Sequence, residues 1–240
     1  MRILLTGHKG FIGSHVYEHL TRIGYDVDGL DRPDDIGDFT GVQDDYDIVI
    51  HLAAYAALRD SVKNPNKFWE NNVEKSQPIF DYCRKYNVRL LYASSAGAHG
   101  WWQNPYAITK KVNEIQAPPN SVGMRFFNVW AEKGSREDML YRMLQDNTAE
   151  YLTRHKRDWI HVHDVVRAIC YLIPDKFRGV LDIGTGRNYS VLELAMRMGK
   201  SDLPILEDTP GEPDSLCADT TQLTKLGWFP TIDIMDLLHG

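Results

Sequence analysis

The sequence predicts an α/β fold: a Rossmann-like, doubly wound parallel sheet followed by a small C-terminal substrate-binding lobe. Three observations predict it. Short apolar strands alternate with amphipathic helices through the first half, a rhythm that implies right-handed βαβ units and a sheet covered on both faces. Gly7, Gly10 and Gly13 sit between the first strand and the first helix. The last third changes texture, its helices and strands giving way to a tail punctuated by Pro204, Pro210, Gly211 and Pro213.

Taken in order, Ile3 to Leu5 reads as a strand and Ile12 to Ile23 as an amphipathic helix. Asp26 to Leu30 is a second strand and Asp47 to Leu52 a third. Asn71 to Tyr86 reads as one helix, Arg89 to Ala93 as a buried strand, and a further helix begins near Tyr106. Gly123 to Phe127 is the next strand. Beyond it come a helix near Glu137 to Gln145, a strand Asp158 to Val162, a helix Asp164 to Leu172, a strand Val180 to Ile183 and a helix opened by Ser190. The expected division is a dinucleotide-binding domain over 1–130 and a lobe over 131–240, with sheet strands able to cross that boundary. The lobe is expected to close over the carboxyl edge of the sheet, where open α/β folds bind ligands.

A formal net charge of -6, with no basic block, gives no reason to expect nucleic acid. The weakly polar stretch Ile48 to Leu58 is far short of the ~20 residues of a membrane helix. Arg2 is followed at once by a short apolar run ending at Gly7, which is not a signal segment. Cys83, Cys170 and Cys217 suggest neither a disulfide frame nor a zinc site. A cytoplasmic protein is expected.

The chemistry begins at the glycines. A helix N-terminus offers N–H groups and a partial positive charge to a phosphate, and glycine lets the backbone bend and approach closely. The spacing is G-x-x-G-x-x-G, since His8 stands where the usual dinucleotide fingerprint has glycine. Asp31, at the end of the second strand, would hold the adenosine ribose and favour NAD over NADP. Its other reading is a turn residue before Pro33, and Arg32 beside it would tolerate a phosphate. Tyr106 and Lys110 share one helix face at i, i+4, so the ammonium favours the tyrosinate and lets the phenol exchange a proton with a hydroxyl. Ser95 would bind the same substrate oxygen. A strand-end cap is the plainer reading of Ser94-Ser95.

In their order, these segments resemble the extended short-chain dehydrogenase/reductase superfamily, and within it the NAD-dependent nucleotide-sugar epimerase/dehydratase family. TGHKGFIGSH resembles the family's opening turn, DIVIHLAA its middle strand, ENNVEKS a following helix, and YASSAGAHG the serine strand. NPYAITK resembles the active-site helix and MRFFNV the next strand; RDWIHVHDVVRAI, LDIGTGRNYSV and PGEPDSLCADT resemble blocks of the substrate lobe. The resemblance implies NAD as cofactor, held by Gly7, Gly10, Phe11, Ile12, Gly13 and Asp31, with Leu52, Ala53, Ala54, Asn71, Ser94, Tyr106, Lys110 and Phe127 lining the cleft. It implies Ser95, Tyr106 and Lys110 as catalytic residues. Asn128 and Arg157 would bind a sugar nucleotide's diphosphate and Glu212 its ribose, and a homodimer would form through the helices from about Asn71 and Tyr106.

Departures from the family bear on chemistry. Ser95-Ala96-Gly97 stands where sugar dehydratases carry Thr-Asp-Glu, so elimination of water is disfavoured. The segments from Ser95 to Tyr106 and from Asp31 to Asp47 are short, and Thr209 replaces an arginine. Trp101 and Trp102 fill the trimmed segment, either covering a core edge or stacking on a sugar or base. Pro118-Pro119 ends the Tyr106 helix early. His161 and His163 flank Val162 and read as packing residues pointing one way from a strand, not metal ligands. His51 reads as a satisfied core histidine, while Lys110-Lys111 and Lys63-Lys67 read as solvated helix faces. The leading expectation is an NAD-dependent nucleotide-sugar 4-epimerase. The alternatives are a sugar dehydrogenase or 4-keto reductase, and a non-catalytic dinucleotide sensor.

Overall fold

A computed structural model describes residues 1–41, 45–137, 139–207 and 212–237. The chain forms two compact units, one of residues 1–125 with 166–181, the other of 126–165 with 182–240. The units are discontinuous because the segment 166–181 adds the end of a helix and the start of a strand to the first unit. A strand therefore crosses between units.

The first unit carries a six-stranded parallel sheet in the order β2-β1-β3-β4-β5-β8, with β1 Arg2–Thr6, β2 Asp26–Leu30, β3 Ile48–His51, β4 Arg89–Ser95, β5 Ser121–Phe126 and β8 Gly179–Ile183. Its helices are α1 Phe11–Arg22, α2 Leu58–Lys63, α3 Pro65–Trp69, α4 Gln77–Tyr86 and α5 Pro105–Gln116. Strands β1, β3 and β4 read as continuous apolar runs because both of their faces are buried. Edge strand β2, sequence DVDGL, is partly exposed along its length, with Asp26 in water and Asp28 paired to Arg2 at 2.6 Å. On one face Leu4, Val49 and Leu90 pack against Ile79, Phe80, Tyr82 and Cys83 of α4.

The single helix expected over Asn71 to Tyr86 is broken. A π-helical turn runs from Glu70 to Glu74, and α4 starts afresh at Gln77. Pro78 explains the restart: it lacks an N–H and crowds the preceding turn, so it is accommodated only in a helix's first turn. The short stretch between Asp31 and Asp47 holds one 3₁₀ turn, Ile36–Asp38, among its described residues. Likewise Ala96–Gln103 folds as 3₁₀ turns between Ser95 and α5. Helix α5 ends at Gln116, ahead of Pro118-Pro119.

The second unit carries the three-stranded sheet β6-β7-β9, with β6 Asn128–Trp130, β7 Lys156–His161 and β9 Asn188–Ser190. Its helices are α6 Leu140–Gln145, α8 Val191–Arg197, α9 Thr221–Leu226 and α10 Ile234–Leu237; α7 Val162–Leu172 begins in it. Trp130, Trp159, Leu144 and Leu194 form its core. Ser190 opens α8 through a capping box with Glu193. Beyond the proline- and glycine-punctuated stretch lie α9 and α10. Thr209, Pro210 and Gly211 lie outside the described residues.

Candidate active site

The glycine turn is built for close approach. Gly7 has φ of +73°, and a Cβ there would lie 2.6 Å from the backbone N of Ala53. A Cβ on Gly13 would lie 2.0 Å from the Gly7 carbonyl oxygen. The Gly7 N–H donates to Leu30 O at 2.9 Å and the Gly10 N–H to Gly7 O at 3.0 Å. Gly10 caps α1 without a side-chain bond, and the helix carries no acid in its first turn. Phe11 and Ile12 form that turn, so a negatively charged group placed there meets positive N–H dipoles and no competing carboxylate. His8 swings its ring onto the open face of Gly29 in β2 and packs on Tyr17, which accounts for the residue that breaks the usual fingerprint.

The loop after β3 is anchored by a buried polar chain. Ser76 Oγ donates to Asn72 O, so it must accept from His51 Nε2–H at 2.9 Å. His51 Nδ1 then accepts from the Thr6 hydroxyl at 2.7 Å, and Thr6 Oγ1 accepts from Ala53 N–H at 3.2 Å. Burial, with a smaller push from Lys110, brings the His51 pKa down to about 3. His51 is therefore the satisfied neutral core histidine the sequence suggested, and through Thr6 the chain holds Leu52 and Ala53 beside the glycine turn. Asn72, fully buried, clamps Tyr55 at both backbone groups (2.8 and 2.9 Å) and reaches Thr109 of α5. Asn71, half-buried, donates to Asn72 Oδ1. The neighbour of the expected residue is thus the pin of this loop.

Asp31 accepts from Lys9 N–H and Arg32 N–H, each at 2.8 Å, one per carboxylate oxygen. A carboxylate oxygen has two acceptor sites, so each retains one for a hydroxyl donor. The residues present fit a dinucleotide: a cradle that any side chain would fill, an uncapped helix start, and an acid beside it.

Lys110 is only 2% exposed and Lys111 is half-buried against Glu114, so the solvated face expected of Lys110-Lys111 is not found. The Lys110 Nζ donates to Ala93 O at 2.9 Å and lies 5.8 Å from the centre of the Tyr106 ring. Burial lowers its pKa to about 8, leaving it charged at neutral pH but close to titrating. Tyr106 is half-buried; its N–H donates to Ser61 Oγ and its ring meets Phe68 edge-on. Ser95 sits at the end of β4, two residues beyond Ala93, where its Oγ accepts from Gly97 N–H. Buried Ala96, with Gly97, follows, so no carboxylate stands beside Ser95 in the chain.

Ser94 is buried, and its hydroxyl donates to Glu114 Oε1 at 2.7 Å. Glu114, 3% exposed, also takes both arms of Arg125 at 2.7 Å each, and Lys111 at 3.3 Å. Burial opposes its charge, but these donors hold its carboxyl below the usual range. The spacing Tyr106, Lys110, Glu114 was legible as i, i+4, i+8 and places all three on one face. Trp101 and Trp102 meet edge-on at 6.0 Å and stand out from the core; Trp102 is 67% exposed.

In the second unit, Phe127 is buried and donates its N–H to Ile183 O. Asn128, half-buried, starts β6 opposite Trp159. Arg157 and Glu212 come together at 3.4 Å; the guanidinium also donates to Pro213 O and to His155 Nδ1, each at 2.8 Å. Asp158, fully buried, organises the segment Ile183 to Arg187 by accepting from Thr185 N–H and hydroxyl, Gly186 N–H and Ala218 N–H. His161 ends β7 and Val162 starts α7, so the two histidines straddle a junction instead of sharing a strand. His161 Nε2 pairs with Glu132 at 3.0 Å, a carboxylate the sequence did not place beside it.

The family described as "NAD dependent epimerase/dehydratase family" matches residues 3–184. A UDP-glucose 4-epimerase of Lactobacillus helveticus is 27% identical over 98% of this chain and 94% of its own. A solved structure, MoeE5 in complex with UDP-glucose and NAD, is 27% identical, with a TM-score of 0.88 over 99% of this chain and 96% of that one. The UDP-glucose 4-epimerase of Thermotoga maritima, solved with UDP-glucose, is 25% identical, with a TM-score of 0.80 over the same shares.

Proposed function

The chain belongs to the NAD dependent epimerase/dehydratase family, and from that premise we propose that it is an NAD-dependent nucleotide-sugar 4-epimerase acting on a UDP-hexose. The observation that carries the reading is the α5–β4 arrangement: a buried Lys110 beside the Tyr106 ring, anchored to the strand end that presents Ser95. NAD, when bound, supplies reversible hydride exchange at the sugar carbon. Tyr106 takes the proton of the C4 hydroxyl and later returns it, Ser95 holds the same oxygen, and the Lys110 ammonium favours the phenolate. Ala96 and Gly97 put no acid and base where an elimination of water would need them, which supports return of the ketone over dehydration.

Gly7, Gly10, Phe11, Ile12, Gly13, Asp31, Leu52, Ala53, Ala54 and Asn71 serve the cofactor in this reading, with Phe127 beside the nicotinamide. Asn128, Arg157 and Glu212 serve the nucleotide half of the substrate. A homodimer through the α5 face is part of the proposal, supported by Ile115, 74% exposed on that helix, and checked by light scattering. Among the described residues no helix is long and apolar enough to cross a membrane, and the proposed location is the cytoplasm. Incubation of the purified protein with UDP-glucose, UDP-N-acetylglucosamine and UDP-glucuronate, followed by proton NMR, tests the activity. A C4 epimer in one of them supports it; none in any rejects it.

A further inference from the structure

Strand order and one cation–ring contact identify a residue that neither the glycine turn nor Asp31 accounts for. In the order β2-β1-β3, Thr6 of β1 is in register with Leu30 on one side and His51 on the other. Strands lie about 4.8 Å apart, so residues beyond β2 and beyond β3 are separated by the turn that follows β1. Yet the Arg32 guanidinium carbon, past β2, lies 6.0 Å from the centre of the Tyr55 ring, past β3. The two side chains meet across the glycine turn.

Both ends of this bridge are held. The Arg32 backbone is stitched to the glycine turn, its N–H on Asp31 and its carbonyl accepting from Lys9 Nζ at 2.8 Å. Tyr55 is clamped by Asn72, and its ring is backed by buried Phe68 at 5.7 Å and capped by Lys67 at 4.8 Å. Among the described residues no carboxylate pairs with the Arg32 guanidinium. A guanidinium lying against a ring retains its in-plane donors for an anion.

We propose that Arg32, held across the turn by Tyr55, is a binding residue for the dinucleotide's pyrophosphate, opposing the N–H groups of the α1 start. The pair acts as a strap that slows cofactor release, which suits chemistry that must finish on one bound dinucleotide. This rests on the dinucleotide site alone and stands whichever sugar is turned over.

The test measures binding and release, not turnover. The 240-residue chain is loaded with NADH, and loss of bound fluorescence is followed after a chase with excess NAD. Equilibrium affinities for NAD, NADP, ADP-ribose and adenosine are measured in parallel. Arg32→Ala should weaken NAD and ADP-ribose about tenfold, speed NADH release by a similar factor, and leave adenosine unchanged. Tyr55→Leu should reproduce most of that loss, Tyr55→Phe should not, and Arg32→Ala with Tyr55→Leu should be no worse than Arg32→Ala alone. Circular dichroism and Tm confirm folding of each variant. If Arg32→Ala weakens NADP but leaves NAD and ADP-ribose intact, Arg32 serves a 2′-phosphate and the proposal fails. It also fails if Tyr55→Leu has no effect or adds fully to Arg32→Ala. A wild-type chain that binds NAD but epimerises nothing defeats the functional reading and leaves this one standing.

Discussion

Replacing Arg125 by methionine should be among the most damaging single changes in the first unit. The substitution keeps the volume and apolar stem but removes two 2.7 Å charge-assisted hydrogen bonds from Glu114. Glu114 is 3% exposed, so its carboxylate cannot turn to water, and Ser94 and the looser Lys111 contact at 3.3 Å remain as partners. Breaking a buried pair by removing one partner costs about 3–5 kcal/mol, and the surviving Lys111 contact puts this case near 3. Removing both charges in Glu114→Gln/Arg125→Met should recover more than half of that loss, because no buried carboxylate is left without its guanidinium. Urea unfolding followed by tryptophan fluorescence measures all three proteins.

The pH dependence has a defined sign. With Arg125 present, the Glu114 carboxyl is held below its ordinary value, so the stability it contributes is present above the unfolded carboxylate pKa of ~4.3 and lost as pH falls through the folded value. Without Arg125, burial dominates and pushes that carboxyl up, so acid relieves the penalty. The gap between wild type and Arg125→Met should narrow from pH 7 towards pH 4. Equal stabilities at pH 7, or a double variant no better than the single one, would refute the reasoning.

Gly7→Ala should cost at least about 2 kcal/mol and abolish tight NAD binding, since it adds a Cβ 2.6 Å from Ala53 N at a positive φ; thermal unfolding with and without NAD checks it. Lys110 with a pKa near 8 should give turnover an alkaline limb near that pH as the ammonium is lost, and Lys110→Arg should move or remove the limb. Stability runs the other way there: the folded state prefers neutral Lys110, so unfolding free energy should rise between pH 8 and about 10.4. His51, pKa about 3 in the folded chain, should cost stability as pH falls from about 6.5 towards 3, because the unfolded histidine takes a proton that the folded one refuses. Acid titration of His51→Asn against wild type should show a shallower loss.

Much of the first unit was legible because parallel strands buried on both faces leave unmistakable apolar runs, and because glycine at Gly7 and Gly13 answers a steric demand that no other residue meets. The pairing of Tyr106 with Lys110 was legible as a helical spacing. What escaped was long-range pairing. Nothing near Ser94 announces that its hydroxyl belongs to Glu114, twenty residues on, nor does Asn72 differ in sequence from Asn71, although one is a buried clamp and the other is half-exposed. Lys110 resembled a solvated charge beside Lys111 because burial depends on which face of α5 meets β4. The expected helix from Asn71 to Tyr86 overlooked how strongly Pro78 governs its own preceding turn. Helices α9 and α10 are only six and four residues long, too short to leave a clear helical periodicity.

The most direct test of the central claim is isotopic. The protein is incubated with a UDP-hexose carrying deuterium at C4, and the C4 epimer is analysed by mass spectrometry and NMR while absorbance at the NADH wavelength is followed. Removal and return of the same hydrogen at one bound cofactor predicts an epimer that retains its deuterium, with no net change in absorbance. Loss of the deuterium to solvent, or stoichiometric accumulation of NADH with a keto sugar, would contradict it.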